Sequence, residues 1–397
     1  MARLLQALFG RTPLGWLQLA HHPLRFSMAI TGVAFAVLMV FMQLGFMNML
    51  FDTTVMFHRQ LKADIVLVDP AARSLIDLRT FPRRRFIQAM GVEGIADGET
   101  MHIGQLTWIK PGTEGHGKGE RGIITAFGIR TDHETFVTPG VSAEQGILSI
   151  TGTALFDTGS RGDFRAFIEA IQAGQRPQTE VAGKTVTFEG VFRIGASFGS
   201  EGSIIVSDQT FLALSPKASP GLPNLGVLRV KTGADPTEVA HRVRAAVAGA
   251  DVKVLTLEEF ITESRNFLVK ESPIAYIFTF GVIMGLVVGI VIVIQILSTD
   301  VQDHMPEYAT FKALGFTNRS LLGIVYEQAA ILTIAGFVPG LLVSLGLYEL
   351  VRTGVSMPIT MPPDRVLMVF AMTATMCVLA GTIAMRRLSR ADPAEVF

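Results

Sequence analysis

Two segments carry residue spacings that belong to chemistry. Gly112-Thr-Glu-Gly-His-Gly117-Lys118 matches the opening of a phosphate-binding loop, whose backbone N–H groups cradle phosphates while the lysine reaches them. The next residue is Gly119, where that loop needs a Ser or Thr hydroxyl for magnesium, and no helix-forming run follows. A flexible Gly-rich connection is the expected structure. Gly195-Ala-Ser197-Phe-Gly199 fits the nucleophile-elbow pattern, which needs a strand-to-helix turn and triad partners downstream in order. Here Glu201-Gly202-Ser203 leads into Ile204-Ile205-Val206, an expected strand, so the context is a β-turn. The histidines beyond Ser197 are His241, on an expected helix, and His304. His102, His116 and His133 follow no common zinc spacing. No catalytic residue, cofactor site or metal site is expected.

The elements that hold these segments are dominated by four apolar stretches. Phe26–Phe51, Ser272–Thr299, Gln328–Tyr348 and Val366–Met385 contain no Asp, Glu, Lys or Arg. Each is long enough for a hydrocarbon core of about 30 Å at 1.5 Å rise per residue. One stretch precedes a large water-soluble block, Asp52–Ser272, and three follow it. The mean hydropathy of +0.43 with 17% charged residues is that of a membrane protein diluted by a soluble part. A formal net charge of zero argues against nucleic-acid binding, which takes a basic excess. Cys377, in the last stretch, is the single cysteine, so the soluble block must rest on its own core. The first apolar run exceeds the roughly 7–15 residues of a signal peptide. Its far end, Gly45-Phe-Met-Asn-Met49, shows no cleavage site, so it is expected to remain as an anchor.

Lys and Arg near span ends set orientation. With the N-terminus inside, the inner side holds Arg3, Arg11, Arg25, Lys312, Arg319, Arg386, Arg387 and Arg390, against Arg352 and Arg365 in the short outer loop. Both termini are therefore expected inside and the large block outside. The expected layout is an inner amphipathic segment 1–25, spans 26–51, 273–299, 320–348 and 366–385, an outer domain 52–272, an inner coupling loop 300–319, a short outer loop 349–365 and an inner tail 386–397. Leu4–Leu24 reads either as an interfacial helix with Trp16 at headgroup depth or as a basic flank that only sets topology.

Within the block, Ala63–Asp69 reads as a strand, Phe81–Met90 as a short helix, and the chain from Ile95 to about Ile109 as a strand. Gly226–Lys231, Asp235–Ala248 with Pro236 in its first turn, and Val252–Leu255 read as strand, helix, strand. Two such β-α-β units predict a split βαβ sandwich, like half of a ferredoxin-type fold. Residues from about 119 to 223 are rich in Gly, Thr and short β-like runs, such as Thr185–Phe192 and Ser203–Val206, and read as an inserted β-rich subdomain. The fold class is thus four transmembrane helices, one plus three, with an α+β outer domain.

Gly281, Gly285 and Gly289 recur every fourth residue in the second span, and Gly336, Gly340 and Ser344 in the third. Such rows let helix backbones approach closely, either within one chain or across a dimer face. Pro339 is expected to bend the third span. No ionisable residue lies mid-span, which argues against a proton- or ion-driven transporter. Glu327 and Glu349 flank the third span, and Glu327 is a candidate cap or pair at the inner surface.

Between the second and third spans, Pro306 can open a short helix and Gly315 close it. Tyr308, Phe311 and Leu314 fall on one side of it, which suits a docking knob for a partner groove or an amphipathic connector. The run Glu307-Tyr-Ala-Thr-Phe-Lys312-Ala313-Leu314-Gly315 resembles the "E-x-x-x-x-K-A-L/M-G" segment of MacB/FtsX/LolC-type ABC permeases. The tail Ser389-Arg-Ala-Asp392-Pro-Ala-Glu395-Val-Phe397 resembles the "D-P-A-E" ending of that superfamily, and the one-plus-three layout agrees. Leu17–Phe46 and Phe192–Ser207 are similar to the DevC family.

The resemblance implies a permease subunit of the bacterial inner membrane, working as a homodimer among membrane lipids. A separate ABC ATPase, holding ATP and magnesium, would dock on Glu307, Tyr308, Phe311, Lys312, Ala313, Leu314 and Gly315. The outer domain would be periplasmic and meet a membrane-fusion adaptor with a TolC-like outer-membrane channel beyond. The permease would act as a mechanotransmitter, exporting a lipid or glycolipid in the DevC-like case. An FtsX-like regulator of a periplasmic cell-wall enzyme is the alternative.

Overall fold

The computed structural model describes residues 14–73, 78–111, 119–195, 200–247, 249, 251–270, 273–307, 310, 314, 317–354 and 359–388. The phosphate-loop-like run with His116, Ser197 with its neighbours, residues 4–13 and the tail from Ser389 lie outside them. The chain divides into a helical unit and a sheet unit, the latter Met49–Ser272 with Arg352–Pro358.

Helix α1 (Leu14–His21) is followed by α2 (Pro23–Gln60), 38 residues without a break. Pro23 supplies the pre-set φ favoured at a helix start. The helix outlasts the apolar stretch because Asp52–Gln60 contains no Gly or Pro. The Thr53 and Thr54 hydroxyls also donate back to the carbonyls of Met49 and Leu50 (2.8 and 2.9 Å).

The sheet unit then runs β1 (Ile65–Val68), α3 (Arg83–Met90), β2 (Ile95–Ile109), β3 (Arg121–Ile129), α4 (Pro139–Glu144), β4 (Thr153–Asp157), α5 (Arg165–Gln172), β5 (Gln178–Val181), β6 (Lys184–Phe192), β7 (Ser203–Ser207), α6 (Asp208–Leu214), β8 (Leu225–Val230), α7 (Pro236–Ala246), β9 (Lys253–Thr256) and α8 (Leu257–Lys270). Helices α9 (Pro273–Asp303), α10 (Asn318–Gly354, with Pro339 inside) and α11 (Pro363–Leu388) complete the chain. Helices α2, α9, α10 and α11 are each long and apolar enough to cross a membrane.

Strands β9-β1-β8-β2 lie in that order, all antiparallel. Each βα unit therefore interleaves with the other, so the ferredoxin-type sandwich is whole rather than half. Strand β1, Ile-Val-Leu-Val, is buried on both faces. Ile65 and Leu67 meet Phe86 of α3 and Val239 of α7 on one side, while Val66 and Val68 meet Phe57 of α2 and Phe260 of α8 on the other. The α7 N-cap is Asp235, whose carboxylate accepts from the Thr237 N–H (3.0 Å). At the free edge of β9, Arg244 Nε donates to the Val254 carbonyl (2.9 Å) and the Thr256 N–H donates to Glu259 (2.8 Å). The Arg244 and Glu259 side chains also pair with each other, so the edge is blunted against further strands.

The inserted subdomain takes its first strand from β2 itself. Ile95–Met101 pairs with β8, and His102–Ile109 pairs with β3. Pairings β2–β3, β3–β7, β7–β4, β4–β6, β6–β5 and β5–β2 then close six strands into a small barrel. Its filling is aromatic: Trp108, Phe156 and Phe188, with ring centroids 5.8 Å apart for Trp108–Phe156 and for Phe156–Phe188.

Glu99, in β2, is 2% exposed. It accepts from the Thr135 hydroxyl and the Arg130 N–H, so it fastens the loop after β3. Burial pushes its carboxyl up to about 7, against the pull of the Thr135 bond and of Arg130, with Asp132 adding a small rise. A carboxyl raised from 4.5 binds protons better folded than unfolded. Its burial therefore costs nothing below the unfolded value and costs progressively more as pH rises to about 7. Glu99→Gln is expected to raise stability at pH 8 by up to about 3 kcal/mol and to leave it unchanged at pH 4. Thermal melts of the purified chain across that range check this; a Glu99→Gln variant that melts lower than the parent at pH 8 contradicts it.

Candidate functional site

The glycines of the α9 and α10 rows lie against α2 inside one chain, with Gly289 also against Met376 of α11. A Cβ at Gly281 would lie 2.4 Å from Gln43 Cδ, at Gly285 3.3 Å from Met39 Cβ, and at Gly289 2.8 Å from Ala36 Cβ. On the α10 side, a Cβ at Gly336 would lie 2.5 Å from Val33 Cβ, and at Gly340 2.9 Å from the Ala34 carbonyl oxygen. Ser344 is buried and donates to the Gly340 carbonyl of its own helix (2.7 Å). On α2, Gly45 leaves room for Tyr348, whose hydroxyl donates to the Phe41 carbonyl.

The same helical unit has a polar corner at the Asp303 end of α9. Gln328, fully buried in α10, donates from Nε2 to Gln18 Oε1 of α1 (3.1 Å) and to the Asp300 carboxylate of α9. Gln18 Nε2 in turn donates to Glu307 (3.3 Å). His304 Nδ1 lies 2.9 Å from the Asp300 carbonyl, and Arg25 pairs with Asp303. Helix α1 can sit this close because Gly15 meets Ile324 O and Gln328 N, 3.1 Å from where a Cβ would be. The second span was expected to end at 299, but α9 continues to Asp303, which brings Asp300 into the helix and the corner.

Of the expected docking residues, Glu307 joins this corner and Leu314 is 71% exposed. The Leu314 N–H donates to the Thr310 carbonyl (3.0 Å), and Thr310 Oγ1 donates to the Pro306 carbonyl (2.9 Å), both at helical spacing. Tyr308, Phe311, Lys312, Ala313 and Gly315 lie outside the described residues. Glu327 Oε1 is buried and meets no hydrogen-bond partner among the described residues.

In the sheet unit, the last turns of α2 and helix α8 meet on one face of the sheet. His58 Nε2 lies 3.1 Å from Ser264 Oγ, and its ring sits 4.5 Å from that of Phe260. Phe57 stacks on Phe127 at 4.4 Å. The segments through which the chain enters and leaves this unit are thus fastened together.

Gly195, the first residue of the elbow-like run, is held by a buried carboxylate. Asp157, fully buried, accepts from the N–H groups of Gly159 (2.8 Å), Ile194 (3.1 Å) and Gly195 (2.8 Å) and from Ser203 Oγ (2.7 Å). Burial pushes its carboxyl up, and these four donors pull it back. Gly195 takes φ +106° there, a conformation that glycine adopts without strain. His102 is buried against Phe211 (5.6 Å, 17° between ring planes), which lowers its pKa by desolvation. No group of three or more metal-ligating side chains exists among the described residues. Sequence reading missed both Asp157 and the Gln18–Asp300–Gln328 set. A buried Asp in an apolar strand, Leu155-Phe156-Asp157, was the available signal for the first.

Residues 278–393 match the model of the FtsX-like permease C-terminal family. The chain is similar to the periplasmic region of MacB from Actinobacillus actinomycetemcomitans at 8% identity, covering 50% of this chain and 91% of that one with a TM-score of 0.32. It is similar to the extracellular domain of the ABC-type transporter YknZ from Gram-positive bacteria at 12% identity, covering 49% and 100% with a TM-score of 0.32. No curated protein sequence matches the chain. The matched region holds the last three long helices and their connections. Over this C-terminal part the chain is therefore similar to FtsX-like permeases.

Two substitutions test the helical unit. Gly336→Leu overfills the contact with Val33 and is expected to cost about 1–3 kcal/mol, with partial recovery in Gly336→Leu/Val33→Ala. Gln328→Leu leaves Gln18 and Asp300 without their shared donor and is expected to cost about 1–3 kcal/mol. Thermal stability of the purified variants measures both. No recovery in the double variant would refute the Gly336–Val33 contact.

Proposed function

We propose that this chain is the permease subunit of an ABC-type exporter, acting as a mechanotransmitter between a separate ATPase and the sheet unit. The observation that carries this is α2, one helix of 38 residues that starts in the apolar unit and ends inside the sheet unit, where α8 fastens to it. A helix of about 57 Å is longer than a bilayer core of about 30 Å, so its surplus turns are part of the folded domain. The lack of mid-span charge in the sequence also fits a machine without a polar path through the membrane.

On this reading the protein sits in a bacterial inner membrane with both termini cytoplasmic and the sheet unit periplasmic. It works as a homodimer, and the ATPase, which binds ATP and magnesium, grips the segment Glu307–Gly315. The sheet unit meets a membrane-fusion adaptor leading to a TolC-like channel. The DevC-like sequence segments favour a lipid or glycolipid cargo. The exposed Leu314 and the tethered Glu307 support the docking assignment: one end of the segment offers an apolar contact, and the other is tied to α1.

Lys312→Glu and Leu314→Asp are each expected to weaken co-purification of the ATPase while leaving the melting temperature of the permease unchanged. Undiminished capture in both variants overturns the docking role. The purified chain alone is expected to hydrolyse no ATP, and turnover in a preparation free of contaminating ATPase would contradict this.

A further inference from the structure

Two cavities in the sheet unit share a wall. The larger, about 680 Å³, is a cleft bordered by Arg165, Arg193 and Arg352, within the roughly 300–1,000 Å³ of small-molecule sites. The smaller, about 230 Å³, is walled by Phe57, Phe127, Ile103 and Leu78, with the hydroxyls of Thr53, Thr54, Thr125, Ser200 and Ser203 at its margin. Met56, Ile194 and Gly195 line both. Gly195 is what lets them meet: a Cβ there would lie 2.4 Å from Met56 Cε. Met56, an unbranched and adaptable side chain, therefore stands at the junction.

The charges of the cleft are not used up by its own carboxylates. Asp163 and Glu169 also line it. Even so, Arg165 and Arg193 make no ion pair among the described residues, and both are exposed. Guanidinium groups bind phosphate and carboxylate through paired N–H donors. The smaller cavity beside them carries no charged side chain, and its Phe57, Phe127, Ile103 and Leu78 wall suits a hydrocarbon chain.

Position along the chain adds to this. Arg352 follows the apolar stretch of α10 by four residues, or ~6 Å of helix. Met56 follows the apolar stretch of α2 by five. Met56 and Arg352 of the lining are thus close in sequence to the apolar runs.

We propose that the two joined cavities form a binding site for an amphiphile with an anionic headgroup, the headgroup on Arg165 and Arg193 and its alkyl chain passing Met56 toward Phe57 and Phe127. This deepens the export reading and rests on it for its purpose, since it places cargo selection in the sheet unit of a single chain.

The test uses the full chain, without ATPase, in phosphatidylcholine nanodiscs. Phosphatidylglycerol and phosphatidylcholine, each with a diazirine near the end of one acyl chain, serve as photoprobes. The phosphatidylglycerol probe is expected to label peptides containing Thr53–Phe57 and Ile103–Gln105. Labelling should fall about tenfold in Arg165→Gln/Arg193→Gln, as expected when charge-assisted bonds to a headgroup are lost. Both arginines are exposed, and an unchanged melting temperature shows that the variant folds. Equal labelling by the two probes, labelling elsewhere only, or labelling unchanged in the variant overturns the proposal. Because no ATPase is present, failure of this site and failure of ATPase docking are separate results.

Discussion

Close backbone contact around α2 is the condition on which the helical unit rests. Lipid tails are as apolar as the side chains they touch, so helices in a bilayer gain little from burying them and rely on van der Waals fit. Helix α2 presents two adjacent stripes, offset by one residue and so about 100° apart. Ala36, Met39, Val40 and Gln43 receive the α9 glycines, and Val33, Ala34 and Val37 receive those of α10. The contacts at Gly289, Gly336 and Gly340 are too tight for a side chain, while Gly281 meets the movable end of Gln43 and Gly285 has slightly more room. The spacing Gly281-x₃-Gly285-x₃-Gly289 announced close approach, but no periodicity names the partner. Only the three-dimensional contacts show that two rows on different helices converge on one.

The sheet unit divides along the same line between local and distant information. Strands β1, β8 and β9 and helices α3 and α7 were legible because each is a short apolar or capped run bounded by Gly, Pro or Asp. Barrel closure was not legible, since it depends on β2 changing partners between Met101 and His102, inside an unbroken β-like sequence. Helices α5 and α6 are brief, and a Gly-rich neighbourhood masked them. Helix α8 was missed although Thr256 and Glu259 cap each other at its start, Glu259 N–H to Thr256 Oγ1 (3.2 Å) and Thr256 N–H to the Glu259 carboxylate (2.8 Å), a Thr-x-x-Glu signature present in the sequence. The polar corner was out of reach for a different reason: Gln18, Asp300 and Gln328 are unremarkable at flanks of apolar stretches, and nothing local joins residues some 300 positions apart.

The two buried carboxylates of the sheet unit show how solvation decides what such a group does. Asp157 has four donors and replaces most of the water it has lost, so it fixes the turn at Gly195 and, with it, the wall between the two cavities. Glu99 has a hydroxyl and one N–H. It remains under-solvated, which is why its protonation falls near neutrality while it fastens the loop after β3. The tight turn and the pH-responsive fastening thus come from the same chemistry with different numbers of donors.

Seams of glycine and a corner of hydrogen bonds differ in the motion they permit. A glycine seam has little relief along the helix axis, so sliding or tilting of α9 and α10 on α2 meets few interlocking side chains. The Gln18–Gln328–Asp300 set loses directional bonds if its members separate by an ångström or two. Of the contacts in the helical unit, the corner is therefore the more resistant to separation and the seams the more compliant. On the export reading, force enters next to the corner, through the segment that begins at Glu307. A push there is resisted locally and spends itself on tilt along the seams. On the same reading α2, which runs without a break to its contact with α8, is the element that would carry the motion.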